Sequence, residues 1–315
     1  MRKARAAAVT AALCVVLGGI AALSAAVALG SGVRASNRDA APPCSGRRVG
    51  SAGARRVVVV VLENHSYGQV AGSSPFLNRL ASECALATDY LAVSHPSLPN
   101  YLALTSGSTD GIGSDCTGCR TSAPSIFGQL HGDWRSYLES MPSPGYRGAF
   151  AGQYAKKHNP ASYYTRIAPE YGRDAVPLGT PTTGRLARDL ARSTLARFSL
   201  IVPNLCDDEH DCPIAEGDRW LRTWMPLILA SPSYRSGRTV VLVTYDEGTG
   251  ADNRVYTVAV APSIRPGTIV RTPLDHYALL RTAEQLLELP CLAHACDAGT
   301  GSMLAVITGL TRAHA

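Results

Sequence analysis

Polar clusters in this sequence contain the residue types that bind divalent cations. Glu63 and Asn64 directly follow one apolar run, and the pair Asp246 and Glu247 directly follows another. Carboxylate and amide oxygens suit a hard divalent cation better than thiolate chemistry does. A single acidic residue of this kind more often caps a helix or faces solvent. Because these four residues come from distant segments, and the acidic cluster 203–211 follows a third run, we predict one metal site.

Ser97 lies in a second unusual stretch, SHPSLPNY at 94–101, where two prolines restrict the backbone before a helical pattern begins. A hydroxyl at a helix N-terminus meets backbone amides and a dipole that favour a phosphate group. We therefore predict Ser97 as a nucleophile that metal coordination activates. The alternative is an ordinary Ser-Pro turn. The sequence has no Gly-x-Ser-x-Gly elbow of the serine-hydrolase type.

Two histidines are candidates for phosphate binding and proton transfer. His158 lies in the segment KKHNP and His210 in the acidic cluster. An imidazole can bind phosphate oxygens or protonate a leaving group near neutral pH, although a lone histidine is more often structural. His276 is predicted to start or pack a helix. His65 and His95 stay outside the predicted site.

The predicted elements would bring these residues together. Strands are predicted for the apolar runs 57–62, 198–202, 239–244 and 255–261, and helices for 75–84, 185–197, 218–230 and 275–289. Apolar runs without polar alternation are typical of strands buried on both faces of a parallel sheet. We therefore predict an α/β fold with a mainly parallel sheet, in which ligands bind beyond the carboxyl ends of the strands.

Composition and charge narrow the class of protein. The chain has 315 residues, of which 46% are hydrophobic and 17% charged, as in a globular protein. The net charge of +6 includes Arg2, Lys3 and Arg5, and no dense basic run follows them. We therefore expect no nucleic-acid partner. No obligate protein partner is evident either.

The domain prediction has three parts. Residues 1–32 combine basic residues with a long apolar stretch and are predicted to be a signal peptide or an N-terminal anchor. Residues 33–54 are predicted to be a linker, and residues 55–315 a single domain. Either interpretation of 1–32 predicts a secreted or cell-surface protein.

The cysteines agree with export. Cys14 lies in 1–32, and eight remain, an even number that suggests disulfides. Three pairs are close in sequence, and the last two cysteines pair by elimination, although eight cysteines allow about 105 connectivities. The pairs are Cys116/Cys119, Cys206/Cys212, Cys291/Cys296 and, by elimination, Cys44/Cys84. A zinc site built from cysteines is disfavoured, because the sequence has only one CxxC motif and no second thiolate pair at finger spacing.

Six segments, taken in order, resemble the bacterial phosphoesterase family of secreted acid phosphatases and phospholipases C. They are VVVLENHS (59–66), SHPSLPNYLAL (94–104), YAKKHNP (154–160), IVPNLCDDEHDCPIAEGDRWL (201–221), TYDEG (244–248) and HYALLRTAEQLLELP (276–290). Together they span most of 55–290. The likeness is strongest to short mycobacterial-type secreted acid phosphatases.

This resemblance implies an alkaline-phosphatase-like core and a residue for each role. It implies one divalent metal ion, with magnesium, calcium, manganese and zinc all open, and substrate contacts from the Asn64 amide and the two histidines. The implied metal ligands are Glu63, Asn64, Ser97, Asp246 and Glu247, and the implied phosphate-binding histidines are His158 and His210.

We accordingly predict a metal-dependent phosphomonoesterase that acts through a phosphoserine on a phosphorylated small molecule or lipid. Phospholipase C members of this family resemble longer chains with extra C-terminal domains. We see no such extension here, which favours the expectation of a phosphatase. One alternative is a phosphodiesterase or phospholipase C that acts on lipid headgroups. Another is a non-catalytic exported surface protein.

Overall fold

Residues 42–47 and 56–309 are the part of the chain that our computed structural model describes. The strands there are β1 Arg56–Leu62, β2 Ala85–Ala87, β3 Tyr90–Leu91, β4 Trp134–Leu138, β5 Phe150–Ala151, β6 Tyr154–Ala155, β7 Ala175–Pro177, β8 Phe198–Val202, β9 Thr239–Tyr245, β10 Thr257–Val260, β11 Thr268–Val270 and β12 Leu274–Asp275. The α-helices are α1 Tyr67–Ser73, α2 Pro75–Glu83, α3 Ser97–Ser106, α4 Ile126–Gln129, α5 Ala168–Asp174, α6 Arg185–Ala191, α7 Ile214–Ala230, α8 Pro232–Arg235, α9 His276–Leu286 and α10 Leu304–Thr308. Short 3-10 helices cover Lys156–His158, Pro160–Ser162 and Ala293–Cys296.

The main sheet has 8 strands in the order β11-β2-β10-β9-β1-β8-β4-β7. At its centre, β1 runs parallel to both β8 and β9. Beyond β8, β4 and β7 continue the parallel arrangement, whereas β10 is antiparallel to both of its neighbours. Helices pack against the sheet, with α9 against β1 and α2 against β10. The predicted α/β class with a mainly parallel sheet is confirmed.

The central strands follow the apolar runs. Every residue of β8 and β9 is buried, as expected for strands that are covered on both faces. β8 has the predicted bounds, and β9 ends at Tyr245, one residue later than predicted. The run 255–261 contributes only β10, and as an antiparallel strand. The prediction missed β4, whose sequence WRSYL places the buried polar Ser136 among apolar residues.

One predicted helix was too long. The helix expected over 185–197 ends at Ala191, because Ser193 adopts the left-handed conformation (φ 57°) and Thr194 turns back. The Thr194 amide donates to the Asp189 carbonyl at 2.9 Å, and its hydroxyl donates to the Asp189 carboxylate at 3.0 Å. α9 begins as predicted, where Asp275 accepts the Ala278 amide at 2.8 Å.

Four disulfides form with the predicted pairing: Cys44–Cys84, Cys116–Cys119, Cys206–Cys212 and Cys291–Cys296. The first ties 42–47 to the end of α2, and the Gly46 amide donates to the Ile264 carbonyl at 2.8 Å. Residues 1–32 lie outside the described residues, and only 42–47 of the predicted linker 33–54 is described. Within the described ranges, no helix has both the length and the apolar character needed to cross a membrane.

Candidate active site

The carboxyl ends of the three central parallel strands meet at one edge of the sheet, and the polar clusters lie there. Glu63 follows β1, Asp246 follows β9, and the segment 203–211 follows β8. The Glu63 amide donates to the Asp208 carbonyl at 2.8 Å, and the Asp246 amide donates to the Leu62 carbonyl at 2.9 Å. The side chains predicted from distant segments therefore converge on one place.

Ser97 is the first residue of α3 and is fully buried. Its Oγ lies 3.1 Å from Glu63 Oε2 and 3.3 Å from Glu247 Oε1, so the hydroxyl faces both carboxylates. A serine hydroxyl has one hydrogen, which only one of these acceptors can take at a time. The position combines a helix N-terminus with acceptors for the hydroxyl proton.

Asn100 holds the loop that carries Ser97. Its Oδ1 accepts the amides of Val93 and Ser94 at 3.1 and 3.0 Å. Its Nδ2 donates to the carbonyls of Ser94 and Pro96 at 2.9 and 3.2 Å. With all four of its hydrogen-bonding positions used locally, this buried side chain fixes the entry into α3.

Asp246 is a buried carboxylate with a hydrogen bond to only one of its two oxygens among the described residues. Its Oδ1 accepts the amide of Asn64, a residue in the left-handed conformation (φ 48°), at 3.1 Å. Its Oδ2 is buried and has no hydrogen-bond partner among the described residues. Burial, together with the charges of Glu63 and Glu247, raises the pKa of Asp246 well above its usual value. Burial also raises the pKa of Glu247, against the lowering effect of His95.

His158 is buried between two carboxylates. Its Nε2 lies 3.2 Å from Glu63 Oε2, and its Nδ1 lies 3.1 Å from Asp208 Oδ2. Burial alone would lower the pKa of His158, but Glu63 and Asp208 raise it to about 10. Burial alone would raise the pKa of Glu63, but His158 and the Tyr101 hydroxyl lower it to about 2. The pair is therefore ionised.

His210 completes the group at the rim. Its ring centroid is 5.6 Å from that of His158. Its Nδ1 lies 2.7 Å from Asp211 Oδ1, and its Nε2 lies 3.0 Å from Lys157 Nζ. The Asp211 carboxylate accepts from Nδ1, and the Lys157 ammonium donates to Nε2.

The structure brings all seven predicted side chains to this edge, and it adds others that the sequence did not single out. Asp208, Lys157 and Tyr101 contact predicted site residues, Asp115 contacts Lys157, and His95 hydrogen-bonds to Glu247. His276 is buried between the Tyr90 hydroxyl and the Asp246 carbonyl. Asp208 and Lys157 belong to motifs noted in the sequence. Tyr101 likewise lies in the segment 94–101, whereas Asp115 had no signal beyond its residue type.

The donor set fits a divalent cation. Glu63, Asp246 and Glu247 bring carboxylates together, and the unpartnered Asp246 Oδ2 is a buried atom that a cation would satisfy. Ligand atoms of Glu63, His158 and His210 also lie within 4.8 Å of one another. His158 Nε2 has no hydrogen-bond partner among the described residues, but the ion pair with Glu63 keeps the ring protonated, which argues against His158 as a ligand. The oxygen-donor set is the better fit.

Comparisons with known proteins agree with this geometry. The sequence profile of the Phosphoesterase family matches residues 71–290. Over 249 residues the chain is 32% identical to the phosphatidylinositol-3-phosphatase of Mycobacterium tuberculosis, covering 77% of this chain and 80% of that protein. Over 269 residues it is 30% identical to the phosphate-repressible acid phosphatase of Penicillium chrysogenum, covering 81% of this chain. The match spans only 64% of the Penicillium protein, less than two thirds.

A solved structure shows the same fold. The crystal structure of an alkaline phosphatase superfamily protein from Vibrio parahaemolyticus superposes with a TM-score of 0.54 and 11% identity. The superposition covers 81% of this chain and 71% of that one. At this identity the likeness concerns the fold alone, and it confirms the expected alkaline-phosphatase-like core.

Proposed function

Because the chain belongs to the phosphoesterase family and is a hydrolase acting on phosphoric esters, we propose that it is a metal-dependent phosphomonoesterase acting through a phosphoserine. The observation that carries this proposal is the position of Ser97. Its hydroxyl is at the N-terminus of a buried helix and within 3.1 and 3.3 Å of Glu63 and Glu247. The helix N-terminus favours a bound phosphate, and the neighbouring carboxylates can accept the proton of a nucleophilic hydroxyl.

The residues that would hold the cation are Glu63, Asn64, Ser97, Asp246 and Glu247. A divalent cation there supplies Lewis-acid stabilisation of negative charge and lowers the pKa of a coordinated hydroxyl. The Ser97 proton passes to one of the neighbouring carboxylates as the Oγ–P bond forms. Asn64 and His210 bind the phosphoryl oxygens.

The ester bond then breaks in line with the new one. The departing oxygen keeps the bonding electrons and takes a proton from His158. Water next attacks the phosphoserine, inorganic phosphate leaves, and a proton returns to the serine oxygen. In the overall reaction, one ester and one water give one alcohol and one inorganic phosphate.

The test is hydrolysis of p-nitrophenyl phosphate by oxidised protein, with and without chelator and re-added divalent cations. We expect chelation and Ser97→Ala each to reduce the rate by at least about 1,000-fold. Ser94→Ala is the matched control, because among the described residues its hydroxyl has one hydrogen-bond partner, the His95 carbonyl at 3.1 Å, and we expect it to remain active. Acid quenching should trap a phosphoryl group on the peptide that contains Ser97.

Other outcomes point elsewhere. Faster turnover of bis(p-nitrophenyl) phosphate or phosphatidylcholine than of the monoester would favour a phosphodiesterase or phospholipase C. A folded protein inactive with every cation would favour a non-catalytic surface role. Full activity in Ser97→Ala contradicts the proposed nucleophile.

We also propose export, with residues 1–32 as the signal or anchor. Four disulfides support this, because disulfides persist in oxidising compartments. Substrates would then be phosphorylated small molecules or lipids outside the cytoplasm. Cell fractionation that finds the protein in the cytoplasm with free thiols would contradict the proposal.

A further inference from the structure

Lys157 reaches the site, whereas the neighbouring lysine does not. Both belong to the 3-10 helix Lys156–His158. Lys157 Nζ lies 3.0 Å from Asp115 Oδ2 and 3.0 Å from His210 Nε2, and its side chain is only 14% exposed. Lys156 Nζ instead donates to the Thr117 carbonyl and lies 4.8 Å from the centre of the Tyr163 ring.

Asp115 links this ammonium to the nucleophile. Its second oxygen, Oδ1, accepts the Leu98 amide at 2.9 Å, next to Ser97 in the first turn of α3. One carboxylate therefore separates Lys157 Nζ from the helix N-terminus that presents the serine. On its other side Lys157 contacts His210, whose ligand atom lies within 4.8 Å of that of Glu63. The charge is therefore held one residue away from the first turn of α3, which carries Ser97.

The hydrogen-bond count leaves a donor for the substrate. An ammonium has three N–H groups. Among the described residues, Lys157 Nζ donates to Asp115 and to His210. A third N–H is left, and an ammonium beside a phosphate-binding helix end is well suited to a terminal phosphate oxygen. Burial alone would lower the pKa of Lys157, but the carboxylates of Glu63, Asp115 and Asp246 raise it above its usual value, so its charge persists at neutral pH.

We infer that Lys157 selects phosphate monoesters over diesters by donating a hydrogen bond to the extra terminal oxygen of the monoester dianion, and that Asp115 positions it. A phosphate monoester has three terminal oxygens and a charge close to −2 above pH of about 6. A diester has one terminal oxygen fewer and a single charge, so a fixed cation at that oxygen benefits only the monoester. This inference rests on the proposed function and names the substrate class of the same site.

The experiment compares kcat/KM of wild type and Lys157→Met on p-nitrophenyl phosphate and on bis(p-nitrophenyl) phosphate. Loss of one charge-assisted hydrogen bond should lower the monoester value by about 10- to 100-fold, with the diester value changed by less than about 3-fold. Phosphatidic acid in mixed micelles provides a lipid monoester. Whichever of p-nitrophenyl phosphate and phosphatidic acid has the larger wild-type kcat/KM shows whether the site prefers soluble or lipid monoesters. Lys157→Met should lower kcat/KM for both.

Matched variants separate charge from structure. Lys156→Met removes the same charge from the adjacent residue and should leave the monoester-to-diester ratio unchanged. Lys157→Arg keeps the charge and should retain most of the preference. Asp115→Asn should raise KM for the monoester more than it lowers kcat, because Lys157 stays charged but is less firmly held.

A binding measurement makes this inference separable from the proposed function. Calorimetric titration with inorganic phosphate should show at least about 10-fold weaker binding in Lys157→Met than in wild type. If wild type hydrolyses no ester in a Ser97-dependent manner, the proposed function fails, and phosphate binding still decides the role of Lys157. Equal losses on monoester and diester, or unchanged phosphate affinity, would overturn the inference.

Discussion

At the scale of single residues, the site is a balance of buried charges. Glu63 is paired with His158, and Ser97 lies between two carboxylates. Asp246 has only the Asn64 amide on one oxygen and no described partner on the other. An unpaired buried carboxylate costs free energy that a bound cation would recover. Metal binding should therefore be measurable as stability, apart from catalysis.

We expect Asp246→Asn to abolish most of the stabilisation that divalent cations confer. A cation at 100 times its Kd stabilises the folded wild type by about 2.7 kcal/mol, which raises Tm by several degrees. Removing one ligand charge should reduce that gain to less than about 1 kcal/mol at the same cation concentration. Thermal unfolding with added cation and with chelator measures both values.

Asp252→Asn is the control for this experiment, because Asp252 is an exposed acid in the loop that follows Glu247. It should keep the wild-type response to cation. An equal cation response in Asp246→Asn and wild type would exclude Asp246 as a ligand.

At the scale of elements, α9 carries a second buried carboxyl group, away from the site. Glu284 is 1% exposed, and both of its carboxyl oxygens are buried without a hydrogen-bond partner among the described residues. Burial raises the pKa of Glu284 to about 8, against the lowering effects of the Leu292 backbone and of Arg281. The folded protein therefore keeps this proton over a range of pH in which the unfolded chain releases it.

This difference sets the direction of a pH effect on stability. The pKa of this glutamate is near its ordinary value of 4.5 in the unfolded chain and about 8 in the folded protein. The stability that this bound proton gives the folded protein is complete below about pH 4.5 and is lost as pH rises through about 8. We expect Glu284→Gln, which cannot ionise, to be more stable than wild type at pH 8.5 by about 4 kcal/mol, and by less than about 1 kcal/mol at pH 5.

Urea unfolding at the two pH values measures this difference. Glu288→Gln, the same substitution at an exposed position one turn further on, should follow the wild-type pH dependence. If Glu284→Gln and wild type lose stability in parallel between pH 5 and 8.5, Glu284 is already ionised in the folded protein.

At the scale of the whole described part, 42–47 is held to the domain by the Cys44–Cys84 disulfide. This bridge closes a sequence separation of 40, compared with 6 for Cys206–Cys212. Loop-closure entropy then predicts a loss of about 4 kcal/mol for Cys44→Ser/Cys84→Ser and about 2 kcal/mol for Cys206→Ser/Cys212→Ser.

Urea denaturation of the two double variants in the oxidised state tests this order. The reduced wild type should be less stable than either variant, because it lacks all four bridges. A Cys44→Ser/Cys84→Ser variant as stable as wild type would show that 42–47 is not held mainly by its disulfide.

The sequence by itself determined the sheet centre and the chemistry at its edge. Apolar runs such as 198–202 become strands because burial on both faces requires continuous hydrophobicity, and β8 has the predicted bounds. Parallel strands put their carboxyl ends at one edge, so the acidic residues that follow them had to converge. The ordered motifs identified the family, and the short cysteine spacings indicated the disulfides.

Only the tertiary structure decided the rest. β4 needed its parallel neighbours β7 and β8 before WRSYL was identifiable as a strand, because Arg135 is compensated by Asp174 at 3.0 Å. Asp208 reaches the site through His158, and Lys157 contacts Asp115 and His210, which are 42 and 53 residues away along the chain. Such contacts depend on loop conformation and desolvation, which residue types and spacing do not encode. For the same reason, the ionisation of Glu63 with His158 followed only from their burial together.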